Sequence, residues 1–210
     1  GFITISTFIA LSPYGKIRLG KDDEKLDFTT TSWIAMLFSA GLGIGLVFYG
    51  ASEPLLHSFS DAPLSEPGSE QAIKEGLVFT YLHWGFHGWA MYGLVALSLA
   101  FFQFRKGEPG LISSTLKPLF GDRMKGTFGK GIDVLATFAT IFGVATSLGL
   151  GAAQINAGLS HLFGLPENFI TQFIIILIIT VLFLLSAWSG LSKGIQYLSN
   201  ANLVLAVLLF

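Results

Sequence analysis

Three glycines alternate at positions 41, 43 and 45 inside the apolar stretch 33–48, with Ser39 and Ala40 just before them. Glycine weakens a helix by roughly 1 kcal/mol relative to alanine. Hydrocarbon tolerates a loosened backbone only where protein buries it or a wet cavity lies beside it. A segment this bare at mid-membrane depth offers its carbonyls and amides to a passenger, as a cation site beside a zwitterion site would need. A plainer reading stands next to this one. Gly41 and Gly45 form a small-xxx-small pair that lets a neighbouring helix approach closely, although that pairing leaves Gly43, on a different face, unexplained.

A second set of residues has the chemistry to receive a cation. Trp84, Trp89 and Tyr92 fall within about two helical turns, Tyr92 at ~80° and Trp89 at ~140° from Trp84 on a continuous helix, so three rings can flank one cleft. A quaternary ammonium group donates no hydrogen bond, and aromatic faces hold it at ~0.5–2 kcal/mol per ring. The alternative is an interfacial aromatic belt, since Trp84 lies near the start of its apolar stretch.

Other polar side chains have weaker claims. His83 and His87 are four apart on one helical face, a spacing that suits zinc, but no carboxylate or third histidine is near in sequence. A membrane-embedded metal enzyme built on this pair and a passive channel both rank low. Glu53, followed by Pro54, is expected to reach from a helix end to the interface. Thr140, Thr146 and Ser147 lie among the small residues Gly143, Gly149, Gly151 and Ala153. Close packing is one reading of that surface, and oxygen donors for sodium another.

The elements that must position these groups follow from hydropathy. With 52% hydrophobic and 12% charged residues over 210 positions and a mean hydropathy of +0.67, the composition is that of an integral membrane protein. A net charge of −1 gives no reason to expect a nucleic-acid partner, and with no cysteine neither disulfides nor thiolate metal sites enter. After a stub at 1–11 and a loop at 12–31, apolar stretches cover approximately 32–56, 77–104, 132–159, 169–188 and 195–210. A span needs ~20 residues. The second and third would run about 42 Å, longer than the ~30 Å hydrocarbon core, and are expected to tilt, bend or project beyond the bilayer.

Eleven of the 12 basic residues fall in loops on one side, namely 12–31, 105–131 and 189–194, whereas the opposite loops hold Lys74 among Asp61, Glu66, Glu70, Glu75 and Glu167. The positive-inside rule places the basic loops in the cytoplasm. Apolar runs at both termini lead us to expect a piece of a longer protein.

Four stretches carry a resemblance: SWIAMLFSAGLGIGLVFYGASEP (32–54), HWGFHGWAMYGLVALSLAFFQFRKG (83–107), IDVLATFATIFGVATSLGLGAAQINAGL (132–159) and SGLSKGIQYLSNANLVLA (189–206). In them the chain resembles the betaine/choline/carnitine transporter family, with YGKIRLG and FATIFGVATSLGLG closest to its bacterial glycine betaine members. The resemblance implies an all-α polytopic protein of the LeuT-type inverted-repeat fold, here the first repeat only, in a bacterial plasma membrane. It implies secondary active transport rather than catalysis: sodium-coupled uptake of a quaternary-ammonium osmolyte, most simply glycine betaine, for osmoprotection. A choline or carnitine carrier using protons or exchange is the alternative. Gly41, Gly43 and Gly45 match the family's glycine motif, and Trp84, Trp89 and Tyr92 its aromatic box. Ser39 and Leu42 match positions whose backbone carbonyls face one sodium ion in sodium-coupled members, and Thr140 matches a hydroxyl ligand of a second. The chain departs at Val144, where some sodium-coupled members carry threonine; Thr146 is the substitute within reach. Sodium is expected as the coupling ion, with no other metal and no cofactor. The partners implied are the small substrate and the lipid bilayer, with a homo-oligomer left open.

Overall fold

The computed structural model describes residues 1–41, 43 and 45–209, and of Gly45, Leu191, Ser192 and Leu209 the backbone alone. Among the described residues every regular element is helical, and the chain is an all-α, polytopic membrane protein. Three stretches are long and apolar enough to cross a bilayer: Glu70–Arg105, Thr127–Phe163 and Phe169–Ser189. Thr30–Gly41 and Leu46–Phe59 make a fourth if taken as one broken span. The side chains agree with a lipid solvent. On the helix Phe169–Ser189 the consecutive residues Leu182, Phe183, Leu184 and Leu185 are each more than half exposed, an all-round apolar surface that only hydrocarbon or further helices can cover.

Chain contacts divide the molecule into two compact units, Gly1–Glu24 with Tyr49–Ile141, and Lys25–Phe48 with Phe142–Phe210. The first contains α1 (Phe2–Leu11), α3 (Gly50–Phe59), α4 (Glu70–Trp84), α5 (Phe86–Ala100) and α6 (Ile112–Phe120). The second contains α2 (Thr30–Gly41), α8 (Phe169–Ser189) and α9 (Gln196–Leu209). The 37-residue α7 (Thr127–Phe163) contributes to both. At 1.5 Å per residue α7 runs roughly 55 Å, so it must extend beyond the hydrocarbon.

Local signals explain most boundaries. The Ser69 side chain accepts from the Ala72 N–H at 3.1 Å and caps α4, so that helix starts at Glu70, seven residues ahead of the apolar stretch. Asn168 caps α8 in the same way through the Thr171 N–H at 2.9 Å, and Gly190, at φ 81°, ends it. The segment after α5 carries α6, whose Ser113 N–H and hydroxyl both bond the Asp133 carboxylate, at 2.9 and 2.7 Å. Arg105 donates to Asp22 at 2.6 Å and to the Gly20 carbonyl at 3.0 Å. That bond holds the Asp22 carboxyl below its ordinary range.

Two interruptions break the helical bonding near the candidate residues. In the first, α2 ends at Gly41, Gly43 belongs to no helix, and helical bonding resumes as a π-turn over Gly45–Tyr49. The Val47 N–H reaches back to the Gly43 carbonyl at 3.3 Å. A Cβ built at Gly43 would meet none of the described residues within 4 Å, so crowding among the described residues does not demand glycine there.

The second interruption is at Gly85, extended at φ −90° and ψ −159° between α4 and α5. A Cβ there would lie 2.3 Å from the Tyr81 carbonyl oxygen. The continuous-helix angles expected for Trp84, Trp89 and Tyr92 do not apply across this break, because Trp84 ends α4 while the other two rings belong to α5.

In the first unit α3 packs closely on α4. The approach is set by Gly76, where a Cβ would fall 2.7 Å from the Ser58 hydroxyl and 2.9 Å from the Pro54 carbonyl. Backbone carbonyls in a helix do not yield cheaply, so Gly76→Ala is expected to destabilise the protein by about 1–3 kcal/mol, whereas Gly93→Ala, with open space around its Cβ, is expected to be neutral. Thermal unfolding in detergent of both variants checks this, and equal shifts would contradict it.

Candidate functional site

The residues expected to hold a cation meet in one open groove of the first unit. Its cavity of about 550 Å³ is lined by Trp84, Trp89 and Tyr92 together with Phe2, His83 and His87, among others, a volume in the range of small-molecule sites. The Trp89 and Tyr92 rings stand 6.0 Å apart and tilted by 43°, and both remain exposed. The Trp89 indole N–H donates to the Trp84 carbonyl at 3.1 Å. This bond uses a carbonyl near the Gly85 break and fixes the second ring relative to the end of α4.

Trp84 is held from behind. Its indole stacks on Tyr49 with ring centroids 5.7 Å apart and planes within 6°, and its Nε1–H donates to Glu53 Oε2. The same carboxylate bonds His83 Nδ1 through Oε1, and His57 Nε2 lies 3.3 Å from that oxygen. Glu53 is only 6% exposed. It therefore does not reach outward to the interface, as its place near the end of an apolar stretch led us to expect. A buried carboxylate needs its lone pairs bonded, and α4 supplies the donors. Tyr49 and Glu53 are the positioning residues that sequence reasoning missed. Tyr49 carried no signal beyond being aromatic, and a carboxylate in a run otherwise free of charge was the clue at 53.

The remaining candidates lie elsewhere. Gly41, Gly43 and Gly45 belong to the second unit. Leu42 lies outside the described residues. The Ser39 hydroxyl donates to the Ser199 carbonyl at 3.2 Å and accepts from Asn202 Nδ2 at 3.1 Å. With Gln196 donating to the Ser32 hydroxyl at 3.0 Å, these bonds form a polar seam joining α2 to α9. The Thr140 hydroxyl returns to the Ala136 carbonyl of its own helix at 2.9 Å, and Thr146 does the same to Phe142 at 2.8 Å. Both hydroxyl oxygens keep a free lone pair. Val144 is half exposed and brings no oxygen.

The family described as BCCT, betaine/carnitine/choline family transporter, matches residues 1–210. The chain is similar to the "Glycine betaine transporter OpuD" of Bacillus subtilis, 61% identical over 99% of this chain and 41% of that protein. It is similar to a "Probable glycine betaine transporter" of Desulfitobacterium hafniense, 48% identical over 98% of this chain and 41% of the other. The "Osmo-dependent choline transporter BetT2" of Acinetobacter baylyi is 41% identical over 98% of this chain and 30% of its own length. The chain thus spans about two-fifths, or less, of the relatives it matches.

The site geometry makes a prediction about Glu53. Glu53→Ala strands the Trp84 indole N–H, whereas Glu53→Gln keeps an acceptor in place, so the alanine variant is expected to lose about 1–3 kcal/mol more stability than the glutamine variant. Thermal unfolding of both in detergent reads the difference, and equal losses would show that the indole bond contributes nothing.

Proposed function

Since this chain belongs to the betaine/carnitine/choline family of transporters, we propose that the whole protein takes up a quaternary-ammonium osmolyte, glycine betaine, by sodium symport across the bacterial plasma membrane, as an osmoprotectant. The observation that carries this reading is the convergence of Trp84, Trp89 and Tyr92 on one groove. A trimethylammonium group has no N–H to donate and a delocalised positive charge, and ring faces are its natural partners, each contributing ~0.5–2 kcal/mol. Trp84 is suited to this because the Glu53 carboxylate accepts from its indole edge and so holds the ring beside the groove it lines. In this reading Gly41, Gly43 and Gly45 are further proposed substrate-binding residues.

Symport follows from energetics. A zwitterion carries no net charge, so the membrane potential drives its accumulation only through a co-transported ion. One charge across 100 mV yields ~2.3 kcal/mol and two yield about twice that, a concentration ratio of several tens against a few thousand. An osmolyte collector needs the larger ratio. Ser39, Leu42 and Thr140 are the proposed sodium ligands, Thr146 substituting for the hydroxyl that Val144 lacks. The basic loops 12–31, 105–131 and 189–194 face the cytoplasm in this reading.

A choline carrier is the second reading, favoured by the choline transporter among the relatives. Choline is itself a cation, so the potential alone can drive it and no sodium is required. The family consists of transporters, which sets aside an enzyme built on His83 and His87.

Two outcomes test the proposal in proteoliposomes of the full-length protein. Betaine uptake is expected to collapse when potassium replaces sodium outside; undiminished uptake would reject the coupling. Trp89→Leu is expected to raise the KM for betaine by about 2- to 30-fold, the equivalent of one ring, and an unchanged KM would remove Trp89 from the cage.

A further inference from the structure

We propose that Glu53, His57 and His83 form a binding site for one divalent transition-metal ion, zinc, that clamps α3 to α4. One ligand atom from each of the three residues lies within 4.8 Å of the others. Glu53 and His57 are four apart and share a face of α3, and His83 comes from α4, so the ligands stand on two helices held together at Gly76.

The hydrogen bonding around His57 carries the inference. Its Nδ1 lies 3.0 Å from the Asp61 carbonyl oxygen, which can only accept, so Nδ1 bears the proton. In a neutral imidazole Nε2 then presents a lone pair, and here it points at a carboxylate oxygen 3.3 Å away. Two lone pairs do not face each other in a largely buried site without a cation between them. A proton shared by the pair, on His57 or on the Glu53 carboxyl, is one such bridge, and on His57 it would put an imidazolium where the side chain is only 17% exposed. A metal ion is the other. The 3.3 Å separation matches the edge of a tetrahedron with bonds of ~2.0–2.1 Å, the Zn–N and Zn–O lengths. His83, whose side chain is half exposed, must draw back from its hydrogen bond with Oε1 to take a third corner, and its open side leaves the fourth corner to water.

The surroundings fit a metal as well. The Trp84 indole N–H fixes the carboxylate through the other oxygen, and the Asp61 carbonyl fixes the His57 tautomer, the outer-shell contacts that metal ligands require. Phe79 packs near both imidazoles, 5.8 Å from His57 and 6.1 Å from His83. Two imidazoles and one carboxylate suit zinc, whereas sodium, calcium and magnesium seek oxygens. The inference rests on α3 and α4 alone and does not depend on the transport reading.

The test uses the full-length protein without a polyhistidine tag, stripped with chelator and titrated with zinc chloride against a chromophoric competitor. One zinc per chain is expected, with the affinity falling by about tenfold or more in His57→Ala and in His83→Ala, and with magnesium and calcium failing to compete. His57→Asn and His83→Asn serve if an alanine variant does not elute as a folded species. Absence of zinc binding by the parent, or equal binding by the parent and the double variant, would overturn the proposal.

Discussion

A carboxylate inside an apolar helix pair has to be bonded by that pair, and Glu53 is where the first unit meets the demand. Its two oxygens take the indole N–H of Trp84 and the imidazole of His83, with His57 beside them. The carboxylate thereby decides which way the last turn of α4 presents its ring. Gly76 makes the approach of α3 close enough for these bonds to form. Tyr49, one turn before Glu53, closes the other face of the indole. Without these contacts Trp84 would be a large side chain at a helix end with two free rotamers, and the groove would lose a wall.

The second constraint is the cost of bare backbone in hydrocarbon. Gly43 lies outside any helix between the end of α2 at Gly41 and the π-turn from Gly45, and a bilayer tolerates non-helical backbone only where protein buries it or a wet cavity lies beside it. At Gly85 the sacrifice is smaller. The Gly85 N–H still reaches the Tyr81 carbonyl at 3.0 Å, and the Trp84 carbonyl, near the break, is taken by the Trp89 indole. The Gly85 interruption is thus sealed by the rings it sets apart.

Much of this was legible from residue order, and the illegible part has a physical pattern. Hydropathy disclosed an all-helical membrane protein because twenty apolar residues in a row leave few alternatives, and alternating glycines drew attention to the stretch after α2 because Gly43 does not fit a simple small-xxx-small pair. Gly85 gave no such signal, since a lone glycine in an apolar helix reads equally as a packing position. That ambiguity also undid the angles for the three rings. Glu53 was misplaced because its partners lie some thirty residues away, beyond the reach of any helical periodicity. The helix α6 was overlooked for a related reason: it is short, sits in a basic loop and depends on the distant Asp133 for its anchor.

The account stands on attraction between a permanently methylated nitrogen and ring faces in the groove, as distinct from mere apolar fit. Replacing Trp89 in the full-length protein with tryptophans bearing one, two and three ring fluorines withdraws ring electron density while leaving shape almost unchanged. Affinity for glycine betaine is predicted to fall stepwise along that series. The same affinity for every member would contradict the account.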